Sequence, residues 1–355
     1  MKHATLFAAL AFFVLTGCGH GGENETTALS GDTLTHHAKW LTMVDCGDSV
    51  IAEIRSPWNA RTAPARIILY PNRPFKSTVV FSSVHVGAVK ELGAIDAVRG
   101  VADAQYFKDS DVVKGLKTGA VADVGNSQNS SVEAIIAIKP DAILVSPYQN
   151  SDFGALRRLG VPVVEMLDYM EDTPLGRAEW IKFLGVMYGQ RQRADSIFRQ
   201  VEKQYTDLKT TAAKTTTRPQ VLSEVPYAGV WYVPGGHSYM ARLFADAGGV
   251  YPWIDSEGEG SLPLNFETVF SKASGADVWL VKSMGPATLR TLRNDNPTLQ
   301  RFKAFAPGKI WAVDTDATDF FETFPFHPEL LLKDYIAIFH PETGLVPRWF
   351  APIKE

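Results

Sequence analysis

Residues 131–145 read SVEAIIAIKPDAILV, and residues 265–281 read NFETVFSKASGADVWLV. Each stretch begins with a polar residue and carries a glutamate two positions later, Glu133 or Glu267. Each then passes through a short apolar helical pattern and an aspartate into a hydrophobic run. A helix that leads into a buried strand is the repeating unit of a parallel α/β sheet. Its presence on both sides of the chain's middle predicts two related lobes.

Both copies lie within a longer alternation of short β-branched runs and helical patterns. The predicted strands are TVVFSS, AVRGVAD and VPVVEML around the first copy, and VLSEV, VWYV and KIWAV around the second. The predicted helices are VHVGAVKELGA, DFGALRRLG, SYMARLFADAGG and PELLLKDYIAIF. The segment up to about Ser130 that precedes the first copy reads as a polar loop. Earlier still, two β-rich runs around Pro57, Trp58 and Asn59 predict a hairpin.

A long helical segment separates the two alternating regions. From Pro174 to about Lys214 the apolar residues recur every three or four positions, with an interruption expected at Gly189. The fold class expected is therefore α/β, with two Rossmann-like lobes of parallel sheet joined by a long helix and a ligand cleft between the lobes. The expected boundaries are an N-terminal lobe at 39–170, a linker helix region at 171–217 and a C-terminal lobe at 218–355.

The N-terminal residues have the pattern of a targeting signal. Lys2 precedes an apolar run that is too short to cross a bilayer, so residues 1–17 are predicted to be a secretory signal peptide. The run ends in Leu15-Thr16-Gly17-Cys18, which resembles the bacterial lipobox and makes Cys18 the predicted lipidated N-terminus. Residues 18–38 are small and polar and predict a flexible tether. The expected location is the bacterial cell envelope, on the periplasmic side of the inner or the outer membrane, with the membrane contacted only through the lipid.

The remaining composition excludes several classes of function. The chain has 355 residues with 39 acidic and 35 basic side chains and a formal net charge of −4, which argues against a nucleic-acid partner. Apart from Cys18 the only cysteine is Cys46, read as a small buried hydrophobe, so no internal disulfide is expected. GGHSYM lacks the second glycine of a nucleophile elbow after Ser238, and no phosphate-binding glycine loop is present, so we expect no enzyme. A monomer is the default.

Five stretches resemble a known family in their order and spacing. They are FSSVHVGAVKELGAIDAVRGVAD, VGNSQNSSVEAIIAIKPDAILV, LGVPVVEM, GGHSYMARLFADAGG and FHPELLLKDYIAIFHPE. The chain resembles, over about residues 75–342, the helical-backbone class, or class III, of periplasmic substrate-binding proteins of ABC importers for iron-siderophores, cobalamin or heme. The resemblance implies a permease dimer with its ATPase as partner. It also implies that Glu133 and Glu267 dock the two lobes on that permease. Both glutamates equally suit helix N-termini, where a carboxylate favours the helix dipole.

Candidate ligand contacts are the residues that follow the carboxyl ends of the predicted strands. Large rings with polar tips suit a bulky chelate with apolar faces and a polar rim. Other strand-end residues considered are Ser82, Gln105 and Phe321. The predicted ligand-binding residues are Ser83, His85, Tyr106, Tyr148, Trp231, Tyr232, Trp253 and Phe320.

The ligand itself stays open at this point. Heme would need an axial ligand, for which His85, His237 or Tyr239 are candidates, whereas the scattered histidines predict no bare-metal site. The second-lobe stretches GVWYVPGGHS, VYPWID and DATDFFETF carry no Arg or Lys, which favours an uncharged chelate or cobalamin over an anionic catecholate complex. We expect no resident cofactor, since the ligand brings its own iron or cobalt. An iron-siderophore ranks first, with cobalamin or heme as alternatives, and cargo scavenging at the cell surface without a permease as an alternative of another class.

Overall fold

The computed structural model describes residues 31–59, 62–149 and 151–355. The predicted signal peptide and Cys18 lie outside the described residues. Within the described part of the chain, no helix is both long and apolar enough to cross a membrane.

The chain first forms a four-stranded antiparallel sheet, in the order β1-β2-β3-β4. Its strands are β1 Asp32–Thr33, β2 Leu41–Asp45, β3 Val50–Ile54 and β4 Ala65–Leu69. The β-rich region therefore contains one more turn than the sequence suggested, at Gly47, while the connection from β3 to β4 holds Pro57 and Trp58. Cys46 lies exposed in the turn before β3, so its interpretation as a buried hydrophobe is wrong.

The segment that enters this sheet is fixed to the body by two carboxylates. Glu179 accepts hydrogen bonds from the backbone N–H groups of His36, His37 and Ala38, at distances of 2.7 to 3.0 Å. Glu171 accepts the N–H groups of the next two residues, 39 and 40, at 2.7 and 3.1 Å. Residues 31–38 are thus held by β1 and these bonds, and the tether prediction fails for that part of its range.

The first lobe is a five-stranded parallel sheet, in the order β11-β10-β5-β6-β7, with helices between its strands. Its helices are α1 Ser83–Glu91, α2 Ser110–Thr118, α3 Val132–Ile138 and α4 Gly154–Arg157. Helix α2 lies inside the segment that was predicted to be a loop. The strands, with the two-stranded β8-β9 ribbon included, are β5 Thr78–Val80, β6 Val98–Val101, β7 Ala122–Asp123, β8 Gly125–Asn126, β9 Asn129–Ser130, β10 Ala142–Val145 and β11 Val163–Glu165.

Two helices follow in place of the single long pattern, α5 Pro174–Met187 and α6 Arg191–Ala213, and they are separated at Gly189 as expected. Helix α6 has 23 residues, a length of about 35 Å at 1.5 Å per residue. Its apolar stripe packs into both lobes: Phe198 lies in the core of the first, and Tyr205 lies in the core of the second. The long helix is therefore a packed strut between two cores.

The second lobe has strand order β12-β15-β16-β17, parallel except for β17 at its edge, beside the antiparallel β13-β14 pair. Its strands are β12 Val221–Ser223, β13 Trp231–Pro234, β14 Ser261–Leu264, β15 Val278–Ser283, β16 Ile310–Asp314 and β17 Ala351–Pro352. Its helices are α7 Tyr239–Asp246, α8 Phe266–Ala273, α9 Leu289–Asp295, α10 Phe320–Thr323 and α11 Pro328–Phe339.

The turn between α10 and α11 joins the lobes away from the strut. Phe326 belongs to the second lobe's sequence, yet its buried ring packs in the core of the first. The neighbouring His327 lies between two carboxylates, with Nε2 2.7 Å from Glu91 of α1 and Nδ1 2.9 Å from Glu329 of α11. Burial alone would lower the pKa of this imidazole, but the bonds and charges of the two glutamates outweigh it and raise the pKa to about 9. The imidazole is therefore a cation at neutral pH.

Candidate functional site

A cavity of about 560 Å³ lies between the lobes, next to the carboxyl ends of their strands. The second lobe contributes Glu224 directly after β12, Tyr232 of β13, Lys282 of β15, and Phe321 and Phe324 from the segment that follows β16. The first lobe contributes residues that follow β5 and β11, together with one from α5: Val84, Tyr169, Met170 and Arg177. This is the position at which open α/β sheets bind their ligands.

Aromatic rings form much of the second lobe's wall. Tyr232 and Phe321 are 46% and 41% exposed, which leaves a large ring surface open to a bound molecule. Deeper in the cavity, the ring centroids of Tyr239 and Phe324 lie 6.3 Å apart. Rings with this arrangement suit a bulky ligand with apolar faces.

The first lobe supplies a cation that is held from behind. The Nε–H of Arg177 donates to Asp168 at 3.1 Å, and the other carboxylate oxygen of Asp168 lies 2.8 Å from Nε2 of His85. Burial alone would raise the pKa of this aspartate, but the charges and hydrogen bonds of His85 and Arg177 lower it to about 2. The face of the guanidinium stacks on Tyr239, with 4.7 Å to the ring centroid. Arg177 is thus fixed in place across the boundary between the lobes.

The second lobe supplies an ion pair between neighbouring strands. Glu224 directly follows β12, and its carboxylate accepts a hydrogen bond from the ammonium group of Lys282 in β15. The backbone of Glu224 is left-handed, with φ of 65°, which a residue with a Cβ rarely adopts. Two buried indoles hold this turn: Trp279 donates to the carbonyl of Glu224 at 2.7 Å, and Trp231 donates to the carbonyl of Ser223 at 3.0 Å.

Three of the predicted aromatic contacts belong to the core. Trp231 is fully buried and stacks on Trp279 with ring centroids 5.8 Å apart, because alternate residues of β13 face opposite sides and Tyr232 takes the cleft side. Trp253 is buried against Tyr251. Phe320 is buried between Phe324 and Trp349. The prediction that these three rings line the cleft is therefore wrong.

His85 is also corrected, since it lies 1% exposed behind the cavity and acts on it only through Asp168 and Arg177. Of the other candidates for a heme ligand, Tyr239 lines the cavity and His237 lies exposed outside it. Among the described residues, no group of three or more His, Cys, Asp or Glu side chains could hold a metal ion.

The remaining predicted contacts lie in the first lobe and do not line the cleft cavity. Ser82 and Tyr148 line a second, smaller cavity of about 310 Å³, where β5 and β10 end. Tyr148 is 57% exposed, and Tyr106, at 67%, lies in the loop after β6. Ser83 is the first residue of α1 and is half-buried. Neither Ser83 nor Tyr106 lines one of the two cavities.

The two glutamates of the repeated stretch occupy matching positions in both lobes. Glu133 lies in the first turn of α3 and Glu267 in the first turn of α8, and both are exposed. The caps are made by the residues two positions earlier: the Ser131 hydroxyl accepts the N–H of Ala134 at 3.2 Å, and the Asn265 side chain accepts that of Thr268 at 2.8 Å. Neither glutamate is therefore needed as the cap.

Sequence reasoning missed the charged lining of the cleft. Only residues after the ends of predicted strands were candidates for the cleft. Arg177 lies within a helical pattern and Lys282 lies at the end of a strand, so neither was among them. The sequence of β13 did contain a usable signal. Trp231 and Tyr232 are adjacent in this strand, and neighbouring side chains of a strand point to opposite faces, so only one of the two can face the cleft. The stretches GVWYVPGGHS, VYPWID and DATDFFETF carry no Arg or Lys, and the cation of this wall comes from outside them: Lys282 lies in β15, and its charge is balanced by Glu224.

Three comparisons place the chain among known proteins. An uncharacterized lipoprotein of Methanocaldococcus jannaschii is 31% identical over 284 residues, which cover 76% of this chain and 66% of that protein, just under two thirds of its length. The iron(3+)-hydroxamate-binding protein of Bacillus subtilis is 26% identical and is matched over 61% of this chain and 56% of that protein. A periplasmic heme-binding protein of Pseudomonas aeruginosa, 20% identical, superposes with a TM-score of 0.59 over 79% of this chain and 99% of its own.

The structural likeness shows a shared two-lobed α/β fold. The family described as periplasmic binding protein matches residues 79–317, which include both parallel sheets and the strut between them. This chain belongs to the periplasmic binding protein family.

Proposed function

We propose that this chain is the lipid-anchored substrate-binding component of an ABC importer, which captures a metal chelate between its lobes and delivers it to a permease dimer with its ATPase. The observation that carries the proposal is the cleft, where exposed rings and fixed charges from both lobes line one cavity of about 560 Å³. Exposed glutamates at matching helix starts support the docking step. The lipoprotein relative supports the anchor at Cys18.

An iron-siderophore is the first candidate cargo, and a ferric hydroxamate is the type that the cleft suits best. Each cation considered above has an acidic partner, Lys282 with Glu224 and Arg177 with Asp168, so neither offers an unpaired charge to an anionic catecholate complex. A ferric trihydroxamate is uncharged. The hydroxamate-binding relative points in the same direction.

Cobalamin and heme remain the alternatives within the same function. Cobalamin is bulky and largely uncharged, in keeping with the balanced cleft. Heme would use Tyr239, which lines the cavity, in preference to His85, which is buried behind it. Capture in each case leaves the chelate chemically unchanged: a ligand that binds the closed arrangement better than the open one shifts the lobes towards closure.

The test of the cargo is calorimetric titration of the purified chain with a ferric hydroxamate, a ferric catecholate, cyanocobalamin and hemin. Submicromolar binding of one chelate, weakened by Tyr232→Ala and unchanged by Trp253→Phe, is expected. A folded protein that binds none of the four would contradict chelate capture.

The test of docking is uptake of that chelate by cells producing Glu133→Arg with Glu267→Arg. We expect uptake to be lost, because exposed ion pairs between the glutamates and the permease would orient the two partners. The Kd of the chelate should stay within twofold, because neither glutamate lines the cleft. Unchanged uptake would instead favour a surface scavenger without a dedicated permease. The matched control is Glu53→Arg, which changes a glutamate on the antiparallel sheet.

A further inference from the structure

The ion pair between Glu224 and Lys282 has features that a purely structural pair does not need. Both side chains line the cleft, and they are 20% and 28% exposed, so polar atoms of each stay available after they bond to one another. Lysine has three N–H donors and a carboxylate accepts at several positions, so one mutual bond leaves two donors and further acceptor sites. The pair therefore presents a donor and an acceptor side by side.

The backbone beneath this pair is held in an unfavourable conformation. A left-handed residue with a Cβ is unfavourable and persists only where surrounding groups enforce it. Here two fully buried indoles do so, through Trp279 on the carbonyl of Glu224 and Trp231 on the carbonyl before it. Partly exposed ion pairs contribute little stability. The strain is thus not explained by what the pair adds to folding.

We infer that Glu224 and Lys282 together recognise a carboxamide at the rim of the bound chelate. This inference rests on the proposed function, since it assigns a role to two residues of the same cleft. The ammonium group of Lys282 donates to the amide carbonyl, and the carboxylate of Glu224 accepts the amide N–H. A carboxylate rim offers no donor to Glu224 and is repelled by its charge.

Arg177, the other cation described in the cleft, does not reverse this preference for a carboxamide over a carboxylate. Its Nε–H is taken by Asp168, and its guanidinium lies against Tyr239 and Phe324, at 4.7 and 5.5 Å from the ring centroids. Its charge is matched by a buried carboxylate 3.1 Å away. A site built to hydrogen-bond an amide rejects the analogue that leaves its polar groups unpaired.

Two kinds of uncharged chelate carry such amides: ferric hydroxamates built on a peptide, and corrinoids with carboxamide side chains. The test uses a matched pair of corrinoids, dicyanocobinamide with amide side chains and dicyanocobyrinic acid with carboxylates on the same ring. Ferrichrome serves as the iron-containing amide ligand, and hemin as a carboxylate-rimmed chelate. Calorimetry with the full chain in detergent gives each Kd.

We expect an amide-bearing chelate to bind at least about tenfold more tightly than its carboxylate counterpart, in line with one charge-assisted hydrogen bond. Binding of cobinamide without ferrichrome assigns a corrinoid, and the reverse assigns a hydroxamate. Tight binding of hemin or cobyrinic acid in preference to both amide ligands overturns the inference and leaves chelate capture intact. Failure to bind any chelate overturns both.

Variants separate recognition from folding. Glu224→Gln removes the repulsion and leaves Lys282 unpaired, so the ratio of amide to carboxylate affinity should fall by about tenfold. Lys282→Gln should weaken the amide ligand about tenfold without favouring the carboxylate. The matched control is Asp277→Asn, which removes the partner of Lys303 at 2.7 Å, away from the cleft, and should change neither affinity. Folded variants with an unchanged ratio contradict the inference.

Discussion

The two walls of the cleft hold their cations in different ways. In the first lobe, Arg177 is 7% exposed, and its partner Asp168 is 2% exposed and also bonded to His85. In the second lobe, Lys282 and Glu224 are partly open, and only the backbone beneath them is fixed by buried groups. A buried network resists change because each charge depends on its partner. An open pair on a rigid backbone can exchange water for ligand.

The two arrangements have different consequences for the cleft. The first-lobe network sets where the guanidinium and the Tyr239 ring lie. The second-lobe pair presents atoms to the cavity. We therefore expect substitutions in the two walls to differ more in their effect on the free energy of unfolding than in their effect on ligand affinity.

The largest effect is expected from Asp168→Asn. The change leaves Arg177 as a buried charge without its counter-charge, and breaking a buried pair in this way costs about 3 to 5 kcal/mol. Urea unfolding followed by circular dichroism measures the loss. A cost below about 1 kcal/mol would show that the two walls are equivalent in stability.

His327, the protonated imidazole between Glu91 and Glu329, tests whether a largely buried cation outside the cleft also makes a large contribution to the free energy of unfolding. Because the pKa of His327 is raised to about 9, its contribution is complete below its ordinary pKa of 6.5 and is lost as pH rises through 9. The effect is about 3 to 4 kcal/mol, since each pKa unit corresponds to about 1.4 kcal/mol. His327→Gln should remove this alkaline loss of stability in unfolding measured at several pH values.

A second group restricts the pH range of that measurement. Burial raises the pKa of Glu171 to about 7, so this carboxyl group lowers stability as pH rises from 4.5 to 7. The comparison of His327→Gln with the parent protein therefore belongs between pH 7.5 and 9.5. An identical slope in both proteins over this range would contradict the assignment to His327.

A smaller effect is expected from Trp279→Phe, which leaves the carbonyl of Glu224 without its indole donor at a cost of about 1 to 2 kcal/mol. Trp253→Phe is the matched control, because the buried Nε1 of Trp253 has no hydrogen-bond partner to lose. Thermal unfolding of both variants isolates the hydrogen bond from the change in ring size. Equal losses would show that the donor at Glu224 has no special role.

The smallest effect on stability is expected from Glu224→Gln, at or below about 1 kcal/mol, since the pair that it breaks is partly exposed. The same variant is expected to change ligand preference. A loss as large as that of Asp168→Asn in the same urea assay would place this pair with the structural network instead.

Sequence reasoning predicted the regular parts of the fold and less of the site. The Glu-helix-Asp-strand repeat identified α3 with β10 and α8 with β15, because buried strands and capped helices leave local patterns. Helix α2 was missed because it is short and only three of its nine residues, Val112, Val113 and Leu116, are large and apolar, so the segment reads as polar although these three share one helix face. Trp231 and Phe320 were misplaced because the end of a strand says where a residue lies and not which way its side chain points.

The charged parts of the site depend on contacts between distant segments. Asp168 meets His85 across 83 positions, and Glu224 meets Lys282 across 58. No local pattern reports such pairs. The left-handed backbone of Glu224 is equally invisible, because it is imposed by two tryptophans from other strands.

The anchoring of residues 36–40 to Glu179 and Glu171 has a mechanical consequence for a protein tethered by its N-terminus. A pull on the proposed tether would load five backbone N–H groups in parallel, three of them bonded to Glu179 of the buried helix α5 and two to Glu171, which lies just before it. The segment would have to shear from both carboxylates together before the load reached β5 or the cleft wall. Under the proposed lipid anchor at Cys18, this arrangement would insulate the cleft from tension at the membrane.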